Sequence, residues 1–282
     1  MNLEERDLTI RRILVALDAS PHSLAALEAA AELAARFRAE LLGLFVEDVN
    51  LLRLAALPFA QEMSLVSATR RRLDARQVER QLGAQAGLSR RALTVIAERA
   101  RVRWSFRVAR GVVVPELLIA AAGADLLILG KAGWSLAGGR RLGSTARAVL
   151  SQAPGLALVL QHGVRLRLPV LVVYDGSPLA QKALAAATAL TRGEGGHLTV
   201  LILADGPAAA QRRQAQAAAW LQARGVKARY RSLAESSVSR LVHLVLLERC
   251  GTLVLPATSS WVHDETLLEL LGEIRTPVLL VR

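Results

Sequence analysis

Two stretches of this chain follow one plan: "RRILVALDAS" from Arg11 to Ser20 and "LPVLVVYDGS" from Leu168 to Ser177. Each is a short apolar run, rich in Val, Leu and Ile, that closes on Asp, a small residue and Ser. Each then runs into Pro and an alanine-rich segment with helical periodicity. The plan is strand, turn and helix, with Ser20 and Ser177 placed as N-caps and Pro21 and Pro178 at the first helical position. Strands apolar along their whole length need cover on both faces, which points to a parallel sheet between two layers of helices.

The repeat continues along the chain. Second strands follow in "ELLGLFVED" and "HLTVLILAD", and third strands in "VRWSFRVARG" and "VKARYRSLAE", where apolar and charged residues alternate as on a sheet edge. Short helices, "VPELLIAAAG" and "VSRLVHLVLLERCG", lead to fourth strands, "ADLLILG" and "GTLVLPA". The fifth are "GLALVLQ" and the C-terminal "TPVLLVR". Strands alternating with helices, twice over, predict an α/β fold of two tandem, open, five-stranded parallel sheets.

The copies differ in length at one place. From Asp18 to Gly130 is 112 positions, whereas from Asp175 to Pro256 is 81. The excess falls in an inserted helical segment at about 49–100, whose first part, "LLRLAALPFAQEM", is apolar and broken by Pro58; it reads as a packing surface in preference to a lid. One long helix is expected from about Ser67. The polar connector "QHGVRLR" sets the expected domains at 1–163 and 167–282.

With 52% hydrophobic but only 4% aromatic residues, two cores must be built from Ala, Leu and Val. The apolar stretches are interrupted by Pro115, Glu116 and Asp125, short of the ~20 clean residues of a membrane span. The start "MNLEERDLTIRRILVALDAS" lacks the features of a secretory signal, so the expected location is cytoplasmic, with no membrane partner. The single cysteine, Cys250, excludes an internal disulfide and reads as a buried apolar residue at a helix end. The net charge of +12 is spread over both halves: from Val164 onward 14 basic and 9 acidic residues leave +5, and +7 falls before it. Such a surface attracts polyanions. Scattered arginines and scarce aromatics nevertheless argue against specific nucleic-acid binding.

One segment carries the candidate chemistry: "LILGKAGWSLAGGRRLGSTARAVL", from Leu127 to Leu150. It begins as the fourth strand and ends as a helix. Glycines before a helix N-terminus let backbone N–H groups approach an anion closely. A dinucleotide fingerprint is excluded, because the turn after the first strand reads "LDASPHS". A P-loop is excluded too: Gly138 and Gly143 have its spacing, but Ser144 stands where its lysine belongs. What remains is Gly130, two residues, Gly133, nine residues, Gly143 and Ser144, at the carboxyl end of a parallel strand, where open α/β sheets bind ligands.

That spacing, with "ILVALDAS", "FVED" and "GSTARAVLSQAPGLALVL" around it, resembles the ATP-binding branch of the universal stress protein (UspA-like) family. The second copy resembles the family more loosely, so the chain looks like a tandem member. The resemblance implies a Rossmann-like fold of the adenine nucleotide alpha hydrolase type, with the two domains forming an intramolecular pseudo-dimer through their fifth strands. It implies one site for ATP, with or without Mg2+. Ala16, Leu17 and Asp18 would lie at the adenosine and Val46 would offer backbone contacts to the adenine. Gly130 and Gly133 would pass beneath ribose and phosphates, and Gly143, Ser144 and Thr145 would hold phosphates. Lys131, between the first two glycines where the family commonly has His or Arg, and Arg140 and Arg141 depart from the pattern and read equally as phosphate contacts or as a solvated loop. In the second copy Pro256 and Ser259 replace the first two glycines and the nine-residue loop is missing, so no nucleotide is expected there.

The five histidines fall in five elements with no ligand spacing. His263, Asp264 and Glu265 read as a helix start, and no nucleophile elbow is present. The expected role is a regulatory stress-response module that binds an adenine nucleotide and a protein partner, with a homo-dimer of tandem chains left open. Its chemistry reaches at most slow hydrolysis or autophosphorylation at Ser144 or Thr145. The alternative is an interaction scaffold that binds no nucleotide and recruits its partner through the basic surface or the apolar insert.

Overall fold

Apolar residues on both faces of each inner strand place those strands inside the protein. In the computed structural model, which describes residues 8–63, 70–132, 142–192, 198–233, 238–257 and 264–282, they form the middle of a ten-stranded sheet. The first half contributes β1 (Arg12–Leu17), α1 (Pro21–Phe37), β2 (Glu40–Asp48), α2 (Val49–Ala55), β3 (Gln61–Met63), β4 (Arg70–Arg72) and α3 (Ala75–Ala100), then β5 (Trp104–Gly111), α4 (Val113–Ala121), β6 (Leu126–Gly130), α5 (Ser144–Gln152) and β7 (Leu156–Leu160). The second contributes β8 (Val170–Tyr174), α6 (Pro178–Thr191), β9 (Leu198–Leu203), α7 (Pro207–Gln222), β10 (Ala228–Leu233), α8 (Val238–Leu247), β11 (Thr252–Pro256), α9 (Asp264–Glu273) and β12 (Val278–Val281).

The sheet runs β10-β9-β8-β11-β12-β7-β6-β1-β2-β5. Within each half of this sheet every pairing is parallel, and the expected α/β fold of two five-stranded sheets is present. The halves meet through β7 and β12, which pair antiparallel with Val278 opposite Val159 and Val281 opposite Leu156. This is the pairing of fifth strands that the resemblance implied, and it closes two sheet edges that would otherwise expose unpaired backbone. The alternating strands β5 and β10 do lie at the two outer edges.

Alternate strand residues feed two cores. Ile13, Val15 and Leu17 of β1 pack toward α1, α3, α6 and α7. Leu14 packs on the other face, toward α4, α5, α8 and α9. Alanines such as Ala26, Ala30 and Ala34 of α1, all fully buried, let the helix lie close on the sheet. Each buried leucine contributes about 1.5–3 kcal/mol relative to an exposed one.

The insert differs from expectation in two respects. The long helix starts at Ala75 rather than near Ser67, because Asp74 Oδ1 accepts from the Gln77 N–H (3.0 Å) and caps it there. Ahead of it, Gln61–Met63 and Arg70–Arg72 pair as a small antiparallel ribbon. The apolar run of α2 packs on one side only: Ala55, with Leu52 beside it, joins a buried cluster of Phe45, Val78, Leu82 and Ala86, while Leu51, Leu54, Leu57 and Phe59 are exposed, Phe59 to 75%. Helix α3 itself fits its stripe, burying Val78, Leu82, Ala86, Ser89, Leu93 and Ala97.

Candidate functional site

In each half the chain leaves the first strand toward one side of the sheet and returns for the fourth strand on the other. The crevice between those strands, at their carboxyl ends, is where such sheets accept ligands. In the first half it lies between β1 and β6. The turn after β1 is held by its own polar residues: Asp18 Oδ1 accepts from the Ser20 N–H (2.9 Å), and Ser20 Oγ accepts from the Ser23 N–H (3.2 Å), capping α1. The turn also requires a left-handed residue, and Ala19 takes that conformation at φ 59°. Asp175 and Ser177 repeat the bond at 2.9 Å, with Gly176 (φ 83°) in the left-handed place. One oxygen of each Asp therefore has a structural use.

Gly130 ends β6 against the first turn of α1. A Cβ there would lie 2.9 Å from the carbonyl carbon and the Cβ of His22, so glycine is needed for the strand to approach the helix at all. Beyond it, the Lys131 N–H donates to the Leu160 carbonyl (2.6 Å), and the Gly143 N–H donates to the Lys131 carbonyl (2.9 Å). The base of the glycine loop is thus closed by backbone bonds. Gly133, Trp134, Gly138, Gly139, Arg140 and Arg141 lie outside the described residues. Gly143, with φ −62° and ψ 152°, is the N-cap of α5 and brings no side chain to accept from the first turn. Those N–H groups, with the positive end of the helix dipole, are open to an anion.

Together these elements enclose a cavity of about 360 Å³. Ala16, Leu17, Asp18, Val46, Gly130, Gly143, Ser144 and Thr145 all line it, and Ser23, Leu44, Val113, Leu117, Leu129, Ala132 and Ala146 complete the wall. One part of the wall is apolar: Leu44, Val46, Val113 and Leu117. The other carries the hydroxyls of Ser144 and Thr145 and the start of α5, and Asp18 is the one charged residue of the described lining. Such a site suits a flat apolar group joined to an anion. Val113 and Leu117 are absent from the sequence reading; their separation of four on a short helix shows that they share a face, but not that the face overlooks a crevice.

Lys131 departs from expectation. Its neighbours Gly130 and Ala132 line the cavity, but its own side chain points away and is only 4% exposed. Its Nζ donates to the carbonyls of Gly272 (3.0 Å) and Ile274 (2.9 Å), at the carboxyl end of α9 in the other half. Burial, with Arg275 nearby, lowers its pKa. It is therefore no phosphate contact in this arrangement.

Beside the cavity His22 Nδ1 accepts from the His162 N–H (3.0 Å), and the rings meet edge to face at 6.1 Å. Burial, followed by His162, keeps the imidazole below its ordinary pKa, against the opposing pull of Asp18. Cys250 is buried, its Sγ donates to the Thr252 carbonyl (2.9 Å), and burial pushes its thiol up to about 12, so it is an inert core residue.

The second crevice is altered beyond its missing loop. Leu17 pairs with Phe45 and Tyr174 with Ile202, which makes Leu203 the counterpart of Val46. The Leu203 carbonyl accepts from the Arg213 guanidinium, whose side chain also lies against Gly176, 3.5 Å from where a Cβ would stand. An arginine from α7 thus occupies the counterpart of the wall that in the first half stays open.

A family model described as "Universal stress protein family" matches residues 9–160 and 167–252. Among solved structures, the chain is similar to a universal stress protein from Archaeoglobus fulgidus DSM 4304 (19% identity, TM-score 0.74), over 96% of this chain and 98% of that one. It is also similar to a protein of unknown function from Pseudomonas aeruginosa PAO1 (12% identity, TM-score 0.59; 97% and 93% covered). A universal stress protein in complex with cAMP matches at 23% identity and a TM-score of 0.40, over 55% of this chain and 99% of its own. No curated protein matches. Among the described residues, no helix is long and apolar enough to cross a membrane.

Proposed function

The chain belongs to the universal stress protein family, and from that premise we propose that its first half binds an adenine nucleotide, ATP in particular, as a regulatory module rather than an enzyme. The observation that carries the reading is the cavity at the carboxyl ends of β1, β2 and β6. An apolar wall and an uncapped helix start share it, and eight of the motif residues converge there.

The division of labour follows from the wall. Leu44, Val46, Val113 and Leu117 give the base an apolar bed, and the Val46 backbone offers hydrogen bonds to its edge. The Asp18 carboxylate, at the cavity wall, is the acceptor for ribose hydroxyls. Ser144, Thr145 and the first N–H groups of α5 take the phosphates, which lie on the positive end of that helix. Magnesium would be carried chiefly by the phosphates, since the described lining supplies one carboxylate and a few hydroxyls. Apart from Asp18 that lining holds no general base, which limits ATP chemistry to slow hydrolysis or transfer to Ser144 or Thr145.

Calorimetric titration with Mg-ATP tests the proposal. The wild type is expected to bind, and Gly143→Val, which puts a branched side chain at the phosphate end, to bind at least ~10-fold more weakly, a difference of about 1.4 kcal/mol. No binding by the wild type, or equal binding by the variant, would overturn the assignment.

A further inference from the structure

Because β7 and β12 run antiparallel, the carboxyl ends of the first half's strands lie beside the amino ends of the second half's. Helix α9 runs down to the start of β12, so its carboxyl end arrives next to the loop that follows β6. Lys131 bridges the two. It buries its stem, and its ammonium meets the carbonyls of Gly272 and Ile274, at a helix end that lacks intrahelical donors and carries negative dipole charge. A buried ammonium without such acceptors would be costly. The same residue holds both ends of the glycine loop through its own backbone, to Leu160 on one side and Gly143 on the other.

We propose that Lys131 is a positioning residue through which the second half, itself without a glycine loop, holds the first half's loop in register for the nucleotide. The proposal rests on the nucleotide reading above. Gly130 and Ala132 face the cavity while the side chain between them is fixed to α9, so a shift of the loop base must either move the end of α9 or break two hydrogen bonds. Among the described residues, the second half shows no reciprocal device at its own crevice. Ala257 follows Pro256 as Lys131 follows Gly130, and it has no cation to extend. The tie running the other way, from Arg282 Nη2 to the Leu150 carbonyl (2.9 Å) in the last turn of α5, begins at the end of β12 rather than at a crevice. The lysine tether and the glycine loop occur in the same half.

Coupling between two sites is reciprocal, so occupancy of the cavity must be felt at α9. Hydrogen exchange on the full chain, with and without saturating Mg-ATP, is expected to show slower exchange in the last turn of α9, around Leu270 to Ile274. In Lys131→Met, which keeps the stem and removes the donor, that response is expected to vanish and ATP affinity to fall about tenfold. Wild-type binding of ATP without any response at α9, or unchanged affinity in the variant, would overturn the coupling and leave the nucleotide reading standing. Absence of ATP binding by the wild type would overturn both. If the Met variant does not fold, the wild-type exchange experiment decides alone.

Discussion

The two crevices of this protein start from the same strand, turn and helix and end as different objects. In the first, the β1 and β2 ends open onto a cavity closed at its far side by Gly143 and the start of α5. In the second, the Asp turn is kept to the same 2.9 Å bond, yet Arg213 takes the Leu203 carbonyl and Pro256 stands where Gly130 would be. The fold tolerates this because a parallel sheet is stabilised by the faces of its strands, which both halves keep apolar, while the loops beyond the strand ends add little to the core. What the second half retains is what the sheet requires: β12 to cover β7, and α9 to meet Lys131.

The largest effect is expected where first-half packing and site coincide. Gly130→Val must push its side chain into the backbone of His22, with nowhere to relax except by moving β6 off α1. Overpacking of this kind costs about 1–3 kcal/mol, read as a lower denaturant midpoint, and nucleotide binding should be lost with it. A variant of unchanged stability would show that β6 and α1 are not as closely fitted as the contact implies. A smaller effect belongs to the second half. Arg213→Ala removes a partly exposed charged donor from one carbonyl, expected to cost about 1 kcal/mol, and should not create a nucleotide site, because the loop and helix start are still missing. Binding of a second equivalent of ATP by that variant would show the arginine, not the lost loop, to be what separates the crevices.

The repeat and the alternation of strands with helices are legible in the sequence because they rest on periodicity and on strands that must be covered, whereas the pairing of the fifth strands was legible only through the family resemblance. Also legible are the residues at the strand ends, which the turn and the glycine spacing mark. The start of α3 was less so: "TRRRLDA" suits a helix by composition, and only the Asp74 cap together with the local pairing of Arg70–Arg72 settles where it begins. The direction of Lys131 was illegible for a deeper reason. A cation between two glycines of a phosphate-type loop suggests a phosphate contact, but its side chain is drawn away by carbonyls 141 and 143 residues further on. Those acceptors reach it only after two halves dock antiparallel, and no local pattern encodes that.

The finest difference between the crevices is the residue type at a single left-handed position, and exchanging it tests whether the two turns are equivalent units. Both need a left-handed residue after Asp; the first half uses Ala19 at φ 59° and the second Gly176 at φ 83°. An L-residue in that region costs about 1–2 kcal/mol per residue. Glycine removes the steric cost but returns ~0.5–1 kcal/mol as entropy of the unfolded chain. Ala19→Gly is therefore expected to stabilise by only about 0.5 kcal/mol, the small difference of those two terms. Gly176→Ala should destabilise by a similar amount through its left-handed backbone alone, because the new Cβ meets Arg213 only at 3.5 Å, in ordinary contact. Equilibrium denaturation of the two single variants and the double reads both signs. Opposite and additive changes would establish the turns as independent copies of one device, as their separation by the strands between β1 and β8 requires. Non-additivity would mean that strain at one crevice is felt at the other, with the β7–β12 seam as the path to examine.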